Sequence, residues 1–184
     1  MKNTLLLLKE LNNEDLDWLA KRGQLRQLKN GDTLIYEGEQ IGALYFILSG
    51  TLSVRLASID NRELARVSSG EIVGEISFVD SQMPLATVTA IADAIVLEIP
   101  RFQVTQKLNN DSGFASRFYL GLSVCLADRM RGTGGRLGYG VEVVLGDRGA
   151  QRLDSAALEL VRTKFRWLVQ QSGALERGLM SADL

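Results

Sequence analysis

The stretch from Gly70 to Val88, GEIVGEISFVDSQMPLATV, has the residue types and spacing that could do chemistry. A Gly-Glu pair (Gly74-Glu75) leads into a short apolar turn, and a small-residue strand start follows at Ala86-Thr87-Val88. Backbone N–H groups that converge at such a turn form an anion nest. With one carboxylate turned inward beside them, the loop suits a sugar-phosphate. A loop of that kind wants a cation as well. Pro84 and Leu85, which precede Ala86-Thr87, supply none, and proline lacks even its N–H.

Composition removes most other chemistries. The 184-residue chain contains no histidine, so Ser-His-Asp and Cys-His sites are excluded, along with the commonest metal ligand. Cys125 is the one cysteine, which rules out a disulfide, a thiolate zinc site and an iron–sulfur cluster and suits a reducing cytoplasm. No metal, no cofactor and no enzymatic activity are expected. A formal net charge of −1 gives no basic field for nucleic acid or a membrane surface. Leu5–Leu8 is too short for a secretory segment or a membrane span and is expected to pack on the body.

The elements that must position the loop follow from periodicity. Asn13–Arg22 reads as a helix, with Asn12 or Asn13 as its cap, acids in its first turn and Lys21-Arg22 at its end. From 24 to 100 short apolar stretches alternate with turn residues: Thr33–Tyr36, Ala43–Leu48, Thr51–Leu56, Glu63–Val67, Glu71–Val73, Ala86–Ala90 and Ala94–Ile99. That spacing indicates an antiparallel sandwich or barrel, with tight hairpins expected at Ser49-Gly50 and Asp60-Asn61. After Pro100 the period becomes helical, first near Arg101 to Asn110 and then over Gly113–Arg131. In the second helix Phe114, Phe118, Leu122, Cys125, Leu126 and Met130 recur at three and four residues. GTGGRLGYG (132–140) reads as a hinge, since it lacks the Gly-Lys-Ser/Thr ending of a phosphate loop. Val141–Leu145 reads as a strand, Gly146-Asp147-Arg148-Gly149 as a turn and Asp154–Gln171 as a last helix. Leu153, Ala157, Leu160, Val161, Phe165 and Leu168 mark the inner face of that helix, and Arg162, Lys164 and Arg166 a solvated one.

The run GDTLIYEGE, then ALYFILSGTLSV, then GEIVGEISF resembles the cyclic nucleotide-binding domain family over about residues 12 to 131, with Gly31, Gly38, Gly50, Gly70 and Gly74 at the matching turns. The resemblance implies a mostly β fold: a double-stranded β-helix (jelly-roll) barrel at 24–100, an N-terminal helical segment at 1–23, flanking helices at 101–131 and a hinge and helical tail at 132–184. It implies that Gly74, Glu75, Ile76 and Ser77 form the front of the phosphate-binding cassette and Ala86 and Thr87 its back. The glutamate would accept from a ribose hydroxyl, and the family's phosphate arginine falls at Pro84. Glu75 would then need another cation, such as Arg55, Arg62 or Arg66, or contact with solvent, or a raised pKa. Arg129 and Arg131 could meet a ligand or simply complement the helix dipole.

In dimeric relatives the long helix pairs with its partner, so Phe118, Leu122, Cys125 and Leu126 are expected to form a homodimer seam. The tail shows one long helix rather than a short helix pair, so a DNA-reading element is not expected and a protein partner for the tail is. The resulting expectation is a stand-alone, cytoplasmic, non-enzymatic regulatory module with a degenerate cassette and weak or altered cyclic nucleotide binding. A cAMP-responsive DNA-binding regulator and a sensor of another anionic nucleotide, such as a cyclic dinucleotide, are the alternatives.

Overall fold

The computed structural model describes residues 4–57, 60–134 and 155–179. Two helices, α1 (Thr4–Glu10) and α2 (Asn13–Arg22), precede eight strands: β1 (Gln24–Leu28), β2 (Thr33–Ile35), β3 (Ala43–Ser49), β4 (Thr51–Leu56), β5 (Arg62–Ser68), β6 (Ile72–Val73), β7 (Thr87–Ala90) and β8 (Ala94–Pro100). Helix α3 (Glu75–Asp80) interrupts the strands; α4 (Arg101–Asn110), α5 (Ser112–Gly134) and α6 (Ser155–Gln171) follow them. The strands form two four-stranded sheets, β1-β8-β3-β6 and β2-β7-β4-β5, with every pair antiparallel. The hinge beyond Gly134, the strand Val141–Leu145, the turn Gly146-Asp147-Arg148-Gly149 and Leu153 lie outside the described residues.

Strand β3 shows why the chain needs two cores. Successive side chains on a strand point to opposite faces. Ala43, Tyr45 and Ile47 face the interior between the sheets, whereas Leu44, Phe46 and Leu48 face the helices. Strand β8 divides the same way, with Ala94 and Val96 inside and Ile95, Leu97 and Ile99 outside. The sheet holding both strands is therefore apolar on its outer side and must be covered. Helices α1, α2, α4, α5 and α6 contribute to that cover.

The expected hairpin at Ser49-Gly50 does not form. Strand β3 pairs with β6 and β8, and β4 pairs with β5 and β7, so Ser49-Gly50 is a corner at which the chain leaves one sheet for the other. Gly50 has φ 87°, and a Cβ there would come within 2.5 Å of both the Ala94 Cβ and the Asp93 carbonyl oxygen. Gly50→Ala is therefore expected to cost more than about 2 kcal/mol, from left-handed backbone and overpacking together. A denaturation midpoint unchanged from the parent would refute this. Asp60-Asn61 does turn β4 into β5, with φ of 54° and 56° at residue types that tolerate the left-handed region. Strand β1, mostly polar and exposed, is missing from the expected set because QLRQL carries little apolar signal.

The apolar stripe of α5 is covered within the chain. Phe118, Leu122 and Cys125 are fully or almost fully buried, in one cluster with Leu7, Leu8 and Leu11 of α1 and Val161, Phe165 and Leu168 of α6. The two helices meet at Gly121, where a Cβ would lie 2.5 Å from Leu7 Cδ1. The expected seam of Phe118, Leu122, Cys125 and Leu126 is thus corrected: its first three members are closed off by α1 and α6, and only Leu126 is partly exposed. The outer face of α5 carries Tyr119, Leu120 and Met130 instead. On α6, Leu160 points outward, and Val161, Phe165, Leu168 and Val169 form the inner face.

Lys164 is not part of a solvated face. Its Nζ donates to the carbonyls of Leu8 (3.0 Å), Lys9 (3.2 Å) and Leu11 (2.6 Å), fixing α6 to the end of α1. A cation at a helix C-terminus satisfies carbonyls that have no partner within the helix. Burial holds its pKa below the ordinary lysine value.

Candidate functional site

The cassette begins where β6 ends. Gly74 has φ 89° and caps α3, and a Cβ there would come within 2.9 Å of Ile41 Cδ1 and 3.1 Å of the Ala43 carbonyl. Only glycine meets both conditions without strain. The turn drives the next residue, Glu75, inward, where it is 1% exposed. Ser77 is also buried, whereas Ile76 points to solvent. Ala86 and Thr87 stand at the start of β7, with Thr87 Oγ1 accepting from the Glu37 amide at 3.1 Å. Pro84 is buried, and its carbonyl accepts from the Gly38 amide at 2.9 Å. Leu85 beside it is 67% exposed.

Glu75 is met by Arg129, from the C-terminal part of α5. One guanidinium nitrogen donates to Glu75 Oε1 and another to the carbonyl of Ile72 on β6. Arg55 and Arg66 converge instead on Glu63, Arg66 Nε at 2.8 Å and Arg55 Nη2 at 3.8 Å. Ser53 Oγ donates to the same carboxylate at 2.8 Å, and these partners hold Glu63 below the ordinary carboxylate range. Burial pushes the Glu75 carboxyl above its ordinary value, and the Arg129 charge pulls the other way. One turn before Arg129, burial pushes the Cys125 thiol up to about 12, so it is not a reactive thiolate at neutral pH.

A second arginine ties the cassette to the helices, and nothing in the sequence marked it. Arg101 donates to the Ser77 carbonyl at 2.8 Å, the Phe78 carbonyl at 3.2 Å and Ser81 Oγ at 2.9 Å. It also lies 5.2 Å from the centre of the Phe78 ring. These contacts cap α3 at its C-terminal end from the first residue of α4. Phe78 in turn packs edge-on against Phe118 of α5, their centres 5.9 Å apart. The cassette is therefore linked to α5 at two points, through Arg129 and through Phe78.

The site is thus a Gly-Glu turn of a two-sheet barrel, buried against the long helix α5. Residues 25–111 match the model of the cyclic nucleotide-binding domain. It is 30% identical over 96 residues to the cAMP-dependent protein kinase type II regulatory subunit of Drosophila melanogaster, covering 52% of this chain and 26% of that protein. It is 26% identical over 137 residues to the cAMP-activated global transcriptional regulator CRP of Escherichia coli O6:H1, covering 73% of this chain and 63% of the regulator. The chain thus spans less than two thirds of either protein. Among solved structures, the Thermus thermophilus catabolite activator protein superposes with a TM-score of 0.60 at 26% identity, over 72% of this chain and 61% of that one. A cyclic nucleotide-binding domain from Methylobacillus flagellatus shares the fold with a TM-score of 0.66 at 22% identity, over 73% and 80% of the two chains. The first two of these relatives are thus a kinase regulatory subunit and a transcriptional regulator. Among the described residues, no helix is long and apolar enough to cross a membrane.

Proposed function

We propose that this chain is a regulatory module of the cyclic nucleotide-binding class that acts by binding, in the cytoplasm, and whose cassette holds cyclic mononucleotides weakly. The observation that carries this reading is the contact of Arg129 with Glu75, in a cassette with proline at position 84. A charge-assisted hydrogen bond contributes about 1.5–3 kcal/mol, and a bidentate arginine–phosphate pair stands at or above the top of that range. A cassette without it binds at least about ten- to a hundred-fold more weakly. A ribose hydroxyl approaching Glu75 must also compete with Arg129 for the carboxylate.

That competition is the proposed signal. A ligand in the barrel of 24–100 draws Glu75 away from Arg129, releasing the end of α5 within the helices of 101–131. The change passes to the tail of 132–184, which presents a surface to a protein partner, with the segment 1–23 as its platform. A ligand shifts such an equilibrium only by its differential affinity for the two arrangements. Pairing of two copies would use the exposed side of α5, at Tyr119, Leu120 and Met130, since the inner stripe is already covered.

Calorimetry at micromolar protein is expected to show weak or no heat with cyclic AMP and cyclic GMP. Pro84→Arg is expected to raise affinity by about ten- to a hundred-fold. A sub-micromolar dissociation constant for the unaltered chain would sink the reading.

A further inference from the structure

Two cations from distant parts of the chain close on the turn between α1 and α2. Lys164 of α6 comes from one side. Its ammonium has three N–H donors, and the end of α1 offers a carbonyl to each: Leu8 at 3.0 Å, Lys9 at 3.2 Å and Leu11 at 2.6 Å. Arg117 of α5 comes from the other side. Its guanidinium forks onto Asp15, with Nε to Oδ2 at 2.7 Å and Nη2 to Oδ1 at 2.9 Å. That carboxylate is 2% exposed.

One peptide group stands between the two cations. The Leu11 carbonyl and the Asn12 amide belong to the same planar unit. The carbonyl takes the shortest of the three bonds from Lys164, and the amide donates to Asp15 Oδ2 at 2.9 Å. The same oxygen is held by Arg117 Nε. The bonds thus run unbroken from the ammonium, through the Leu11–Asn12 peptide, to the carboxylate and the guanidinium. Hydrogen bonds in such a chain polarise one another. A cation on the carbonyl oxygen draws electron density across the peptide and makes its N–H a stronger donor to Asp15. The carboxylate acts in reverse and makes the carbonyl a stronger acceptor for Lys164.

We infer that the Leu11–Asn12 peptide is an electrostatic relay that couples the tail helix α6 to α5, so that Lys164 and Arg117 each hold more tightly when the other is in place. What the relay serves rests on the proposed response to a ligand. Residues 117 and 129 lie about 18 Å apart along α5, at the rise of an α-helix. Arg129 meets the cassette at Glu75, and Arg117 meets the relay. A shift of α5 at the cassette therefore loosens Arg117 from Asp15 and, through the peptide, the seat of Lys164 on α1. The tail senses the cassette by way of a contiguous network of bonds.

The sign of the coupling separates a relay from simple repulsion. Two cations that act through space repel, and each single substitution then relieves that repulsion. The double variant would raise the unfolding constant by more than the product of the two single factors. A relay does the opposite, because each single substitution already weakens the other contact.

The test is a double-mutant cycle on the full chain, by urea titration at neutral pH, with Arg117→Met, Lys164→Met and both. The double variant is expected to raise the unfolding constant by less than the product of the single factors. The shortfall should exceed about twofold, the limit within which independent sites add. The Arg117 Nε–H resonance of the ¹⁵N-labelled chain is expected to move upfield in Lys164→Met, although two donors make no bond to each other. Lys164→Arg, which keeps a cation at the Leu11 carbonyl, should leave that resonance near its parent position. Should Lys164→Met or the double variant fail to fold, Lys164→Gln, which removes the charge and keeps a donor, takes the place of the methionine. Single factors that multiply within about twofold, a double variant worse than their product, or an Arg117 resonance indifferent to the loss of Lys164 would each overturn the relay. No ligand enters the cycle, so the relay can fail while the reading of the cassette stands, and calorimetry can overturn that reading while the relay stands.

Discussion

Replacing Arg129 with methionine is expected to destabilise the folded chain by about 3–5 kcal/mol at neutral pH. Glu75 is 1% exposed, and Arg129 is the cation against its carboxylate. Without the guanidinium the carboxylate stays buried and uncompensated, and the Ile72 carbonyl loses a donor. The sign of the pH dependence follows. Burial raises the folded-state pKa of Glu75, so the unfolded chain ionises first as pH increases. The Ile72 carbonyl's share of the cost does not depend on pH, but the carboxylate's share is absent below the ordinary carboxylate range, where both states carry the proton. It grows as pH rises through that range and levels off above the folded-state value. Urea titrations of parent and variant at neutral and acidic pH would measure it. Adding Glu75→Gln should recover most of the loss at neutral pH, because the two residues act as one unit. A loss below about 1 kcal/mol at neutral pH, or an equal loss at both pH values, would show that the pair does not hold the end of α5 to the cassette.

Arg117→Met should cost about 3 kcal/mol, the lower end of the same range, because this guanidinium is one-third exposed. Arg117 on α5 forks onto Asp15 on α2, with Nε to Oδ2 at 2.7 Å and Nη2 to Oδ1 at 2.9 Å. Asp15 is 2% exposed and also accepts from the Asn12 amide at 2.9 Å, closing a capping box at the start of α2. Removing the arginine leaves the carboxylate with that amide as its remaining described partner. Arg117→Lys should recover only part of the loss, since an ammonium cannot fork onto both oxygens. Thermal unfolding of the three proteins would check both statements. A methionine variant as stable as the parent would mean that solvent already screens the pair.

Much of the barrel is legible in the sequence because its signals are local. Alternation of apolar residues, glycines at turns and the change of period after Pro100 are read within a few residues of one another. The Gly-Glu turn belongs to the same class: Gly74 must take a left-handed conformation, and the residue after it is thrown inward. The errors have a common cause. Ser49-Gly50 looks like a hairpin because two strands flank it, yet the pairing partners of those strands lie far away in sequence. The stripe on α5 looks like a surface for a second copy because the segment that covers it, α6, comes later in the chain.

The sequence by itself determined a small antiparallel barrel, an inward carboxylate after the Gly74 turn and the exclusion of histidine chemistry. Tertiary structure decided the electrostatics: Arg129, rather than Arg55 or Arg66, meets Glu75 across 54 residues of chain, and Arg117 meets Asp15 across 102. It also decided which side of α5 is interior. An ion pair between distant residues depends on where whole elements are carried in space, and their placement is set by two cores that share the strands β3 and β8.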